Sequence, residues 1–214
     1  MKTLDVSDLP MVCLPRVWHV GTLDPSKKWC HGDSYEGSGL SVSLDPEAWK
    51  EIARLGGLPT HLLSKARQPG RFVDRHALDE RILALLRSEA IAEGLLEPAT
   101  RYQVSYFDTE CDSVRRFLVA SKALADEEAE DLGDDSDAKV TPLEILVATP
   151  ALHRVVGQVC DDLICEDMAL TVLLEQAGIC DGIWWNDVHD VAGLSAPRGV
   201  IFKTALPAWT CVPA

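Results

Sequence analysis

Apolar residues along this chain come in short bursts, and the spacing within each burst predicts its element. Residues 17–20 form a brief apolar run and 40–43 a second, so two strands are expected, parted by a polar, turn-rich loop over 23–39. Asp45 followed by Pro46 predicts a helix start: a carboxylate that caps free N–H groups, then a residue that has none to satisfy. Trp49, Ile52 and Ala53 fall on one face of that helix, and Gly56-Gly57 ends it. The longest helical pattern spans 74–94, where Leu78, Ile82, Leu85, Leu86 and Ile91 recur with charged residues between them. Residues 101–108 and 114–119 read as a β-hairpin. An acidic helix comes next over 122–132, and then a solvated loop over 133–137.

The remainder is more apolar. A strand is expected over 143–147, a helix over 151–159, and an apolar helix over 167–177 stopped by Gly178. Two strands close the chain, 182–185 and 199–202, joined by a polar loop. In the first, Trp184 and Trp185 must point to opposite faces, one to the core and the other free to line a ligand cleft. Residues 1–16, with Pro10 and Pro15, read as an irregular lead-in. Short strands with few intervening helices, and no strict alternation of the two, predict an α+β fold.

Length and composition narrow the class. The 214 residues suit one domain spanning 1–214, with room for an insertion at about 60–140 that includes an acidic loop over 126–137. That loop region holds eight of the carboxylates behind a net charge of −14, and reads as a solubilising segment or a docking arm. Non-specific nucleic-acid binding is disfavoured, although Lys65, Arg67, Arg71 and Arg75 cluster as a basic strip or a solvated face. No apolar run spans a membrane and no signal-type h-region comes after Met1, so the expected location is cytoplasmic. Seven cysteines, an odd number without framework spacing, fit reduced thiols there. Neither their spacing nor Cys30-His31 builds a zinc site. Walker A, GxSxG and HExxH motifs are absent, which sets aside NTPase and common hydrolase readings.

The informative stretches are VWHVGT (17–22), YEGSGLSVSLDPEAW (35–49), DGIWW (181–185) and PRGVIF (197–202). Together they resemble the ADP-ribosyltransferase superfamily, whose fold binds NAD in a split central β-sheet with flanking helices. The likeness touches about a third of the chain, at both ends, and leaves the middle without a counterpart. It implies that His19 hydrogen-bonds the adenosine ribose, and that Gly21, with Thr22 beside it, holds the nicotinamide carboxamide through its backbone. HVGT stands here where many relatives have HGT. Gly37, Gly39 and Leu40 match the second motif, and Ser41 stands where a Tyr is common. Ser43 and Trp49 match the later hydroxyl and ring, with Tyr35 as the alternative stacking residue. The family's glutamate has no counterpart beside Ala196, Pro197 and Arg198. Asp187, leaving the 182–185 strand, is the nearest replacement, and Asp190 the next.

The resemblance implies NAD-dependent ADP-ribosyl transfer to a macromolecular acceptor, as in effectors, toxins and phage-encoded modifiers. His19 and Asp187 would carry the chemistry, and the strands at 17–20, 40–43 and 182–185 would meet at one cleft. The alternative is a catalytically inactive binding protein of immunity, antitoxin or inhibitor type. Each residue also has a plainer role open to it: His19 as a core histidine, Gly37 and Gly39 as a turn, Trp49 as core, and Asp187 as a turn cap.

Overall fold

Two compact units make up the chain, residues 1–96 with 148–214, and residues 97–147. The structure is a computed structural model and describes residues 9–23, 35–36, 39–133, 137–157, 159–160, 162, 164–190 and 195–214.

The first unit is built on one sheet. Its strands are β1 (Met11–Leu14), β2 (Arg16–Val20), β3 (Tyr35–Glu36), β4 (Gly39–Ser43), β5 (Thr60–Ser64), β6 (Gly70–Asp74), β10 (Gly182–Trp185), β11 (Arg198–Ile201) and β12 (Thr210–Pro213). They lie in the order β1-β6-β10-β11-β4-β2-β5-β12, with β3 paired to β4 off that path. β6 and β10 run parallel, and the other pairs are antiparallel. The apolar runs at 40–43 and 182–185 thus become strands buried at every position, as central strands covered on both faces must be.

The mixed α+β class agrees with the sequence pattern. The expected meeting of three strands is altered, because β11 intervenes between β4 and β10. Most neighbours share four or five register pairs, but β2 and β4 share the single pair Trp18↔Ser43. Ladder pairing is therefore sparsest between β2 and β4.

Helix starts obey local chemistry. Asp45 caps α1 (Pro46–Ile52) by accepting from Glu47 and Ala48 N–H, as expected. The long helix expected over 74–94 is shorter: α2 spans Glu80–Ala92, capped by Asp79. Asp74 ends strand β6 instead, and its carboxylate accepts from His76 and Ala77 N–H, which turns the chain before a helix can begin. The lead-in also holds a strand, β1, because β6 offers it a partner. α4 (Pro150–Val156) stops at Gly157, sooner than 159. α5 (Cys165–Ala177) ends at Gly178 as read, and its middle is buried on all sides.

One core cluster joins Leu14, Val17, Leu40, Val42, Leu63, Phe72, Trp184, Ile201 and Trp209. Trp184 meets Phe72 edge-on, with ring centroids 6.0 Å apart. A Cβ at Gly39 would collide with Val200 Cγ1 and the Ile201 carbonyl, so that glycine permits β4 to approach β11.

The second unit carries β7 (Leu96–Asp108), β8 (Ser113–Val119), α3 (Lys122–Asp131) and β9 (Lys139–Ala148), with Leu96 and Ala148 at its borders belonging to the first unit. Its sheet order is β8-β7-β9, with the expected hairpin registered from Tyr102↔Val119 to Asp108↔Ser113. The segment set apart is thus narrower than 60–140, since β5, β6 and α2 belong to the first unit. The acidic run begins inside α3, and residues 134–136 of its loop lie outside the described residues.

Candidate functional site

His19 is wholly buried on β2, directly across from His61 on β5. The two rings stack with centroids 6.1 Å apart and planes inclined by 19°. His19 Nδ1 lies 2.8 Å from the Ser41 carbonyl on β4, bridging strands whose backbones share one register pair. A carbonyl can only accept, so Nδ1 carries the proton. Burial holds the His19 pKa below the usual 6.5. The Ser41 carbonyl pulls the other way, His61 adds to the lowering, and the Thr22 backbone opposes it weakly. Burial wins, the ring is neutral, and Nε2 is left as an acceptor with no hydrogen-bond partner. Ser41 Oγ and Thr60 Oγ1, on the two strands flanking β2, are likewise buried without partners. Such atoms are costly to leave unmatched inside a protein.

Gly21 differs from the role the resemblance implies. Its φ of 132° is one that glycine alone adopts readily, yet its N–H donates to the Pro59 carbonyl at 2.8 Å and its carbonyl accepts from His61 Nε2 at 3.1 Å. Its amide is therefore engaged within the protein and offers no free N–H to a carboxamide. Thr22, one residue on, is exposed. Ser43 is similarly occupied. Its hydroxyl lies 3.0 Å from the Asp45 carbonyl and 3.1 Å from the Pro197 carbonyl, and it accepts from Asp45 N–H. It ties the exit of β4 to the start of α1 and to the approach to β11. Trp49 is half-buried on α1. Tyr35 lies on β3 opposite Leu40, and Gly37 falls outside the described residues.

Asp187 stands apart from these. It lies just after β10, and its Oδ1 is 3.2 Å from His76 Nε2 while its Oδ2 is 3.7 Å from Arg198 Nε. Arg198 in turn lies 4.9 Å above the Trp185 ring. Trp185 is itself buried, on the side opposite Trp184, and donates its indole N–H to Asp167 on α5, which also holds Arg75 at 2.6 Å. Asp190 bridges to Ser195 through the backbone.

A lateral row of residues, Trp185–Arg198–Ser43–Trp18, relates the two places. His19 lies one residue beyond the row and Asp187 two residues beyond it on the other side. Ideal sheet spacings put them roughly 17 Å apart. The sheet brings His19, Gly21, His61, Ser41 and Thr60 together and keeps Asp187 with His76 and Arg198.

Sequence reading missed His61, Thr60 and His76. His61 and Thr60 fall in THLLS (60–64), which alternates too weakly to stand out as a strand, and His76 falls inside the expected helix.

Other features carry less chemistry. The basic strip is partly neutralised, Lys65 by Asp181 at 2.9 Å and Arg75 by Asp167. Burial pushes the Cys165 and Cys180 thiols up to about 11, so neither is a ready nucleophile. Among the described residues no group of three metal-type ligands occurs, and no helix is long and apolar enough to cross a membrane. Compared with protein-family models, curated proteins and solved structures, the chain matches none.

Proposed function

We propose that the protein binds NAD across β2, β4 and the exit of β10 and transfers its ADP-ribose to a macromolecular acceptor. The observation that carries this reading is the neutral His19 ring, with Nδ1–H committed to Ser41 and a buried Nε2 acceptor unmatched where β2 and β4 share one register pair. A ribose hydroxyl is the complementary donor. NAD has two riboses joined by a pyrophosphate, so one ligand reaches both His19 and a second, distant pole at Asp187.

Transfer breaks the glycosidic bond between C1′ and the nicotinamide nitrogen, the bonding pair leaves with nicotinamide, and the acceptor atom bonds C1′ and loses its proton to solvent. Asp187 supplies negative charge where the sugar becomes cationic. Thr22 stands at the β2 exit beside the ribose pole. Trp49 stacks the nicotinamide, and Gly39 keeps the strands close enough to shape the floor. Gly21 and Ser43 act by holding backbone rather than by touching ligand.

A binding protein without chemistry, of immunity, antitoxin or inhibitor type, is the second reading. It is favoured by the same internal engagement of Gly21 and by the His76 imidazole and Arg198 guanidinium already flanking Asp187.

Titrating NAD while following tryptophan fluorescence, and then nicotinamide release, separates the two. Asp187→Ala is expected to lower turnover about 100- to 1000-fold with affinity largely kept. His19→Ala, and the gentler His19→Gln confirmed folded by thermal melting, are expected to weaken NAD binding itself. A wild-type protein that neither binds nor cleaves millimolar NAD leaves only the binding-protein reading.

A further inference from the structure

We infer that His76 is a positioning residue for Asp187, an inference that rests on the transfer reading above. Parallel pairing of β6 with β10, extended by Arg75 N–H to the Trp184 carbonyl, brings the exits of the two strands side by side. The Asp74 carboxylate then fixes the turn by accepting from His76 N–H at 3.0 Å, which sets His76 against Asp187. His76 Nε2 lies 3.2 Å from Asp187 Oδ1, and Arg198 Nε, its guanidinium seated on Trp185, lies 3.7 Å from Oδ2. Neighbours on both oxygens bias the orientation of the carboxylate, and orientation governs rate.

The charged groups about the imidazole are Asp74 and Arg75 on its own segment, Asp187 after β10 and Arg198 on β11, with Arg75 drawn towards Asp167 of α5. His76 is 48% exposed on its side chain, so its replacement spares the core.

Steady-state NAD turnover tests this. His76→Ala is expected to lower kcat about 10- to 100-fold with KM unchanged. His76→Gln, a neutral donor, is expected to restore much of kcat. A kcat for His76→Ala within about twofold of wild type, or a kcat for His76→Gln no higher than for His76→Ala, overturns the inference. Ring-proton NMR reads the contact without NAD: the His76 ring signals should shift when Asp187 is changed to Asn, and unmoved signals overturn the contact in solution. Absence of NAD turnover in the wild type, with the signal shift present, removes the transfer reading while leaving the contact demonstrated.

Discussion

The two units solve the same problem, burying a sheet, with very different means. In the first, Phe72, Trp184, Leu40, Leu63, Ile183, Ile201 and Phe202 are all almost inaccessible, and α5 contributes a helix buried on every side. In the second, Val104, Ala125 and Val147 are the buried apolar residues among those described, while Phe107 and Val114 are exposed and Arg115 and Arg116 sit in the same strand. Three strands with so thin a core lie close to the lower limit of independent stability. The contrast teaches where polar groups can be held precisely: the buried histidine and bonds such as His19 to Ser41 and Ser43 to Pro197 belong to the unit with the deep core, whereas Thr100 to Glu144 and Ser105 to Lys139 in the second are exposed. A rigid surround is what keeps an unmatched atom such as His19 Nε2 from finding a local partner.

The largest expected effect tests that contrast in the core. Trp184→Ala should cost about 3–5 kcal/mol, since it empties a site between Phe72 and the neighbouring strands. Phe117→Ala, at a half-buried position of β8, should cost about 1 kcal/mol. Denaturant melts of both variants measure the gap, and equal losses would erase the distinction.

Acid should discriminate next. His19 is held neutral in the fold, with its pKa below 6.5, so below that pH the unfolded chain takes up a proton that the native state refuses. Stability therefore falls as pH drops below about 6.5, by at most about 1.4 kcal/mol per pH unit from this group. Residues 97–147 contain no histidine, so this component belongs to the first unit. Urea midpoints at about pH 7.5 and about pH 5.5 should differ less in His19→Gln than in wild type, and an equal difference would show that His19 titrates as it does when exposed.

Smallest of all is the acidic helix. Glu127, Glu128 and Glu130 are exposed on α3, and changing all three to Gln should shift stability by less than about 0.5 kcal/mol. A large loss would give the run a structural partner that its composition does not suggest.

Local chemistry made several elements legible in advance. The Asp45-Pro46 start of α1, the Gly178 stop of α5, the 101–119 hairpin and the opposed tryptophans at 184 and 185 each depend on neighbours a few residues away. β1, β5, β6 and β12 were not legible, because each is a run of four or five residues that becomes a strand only where a distant strand offers it hydrogen bonds. The candidate site divides in the same way. His19 and Asp187 could be singled out from their motifs, but His61 and His76 needed the pairing of β2 with β5 and of β6 with β10.

By itself the sequence determined the mixed α+β class, most helix ends, the acidic character and the two stretches in which polar side chains stand at strand exits. Tertiary structure alone decided the strand order, which polar atoms are satisfied and which are left over. Capping and periodicity act over one or two turns of chain, so a sequence states them directly. Ser43 is matched by Pro197, 154 positions away, and His19 by Ser41, 22 positions away, and bonds of that span exist only once the sheet has closed around them.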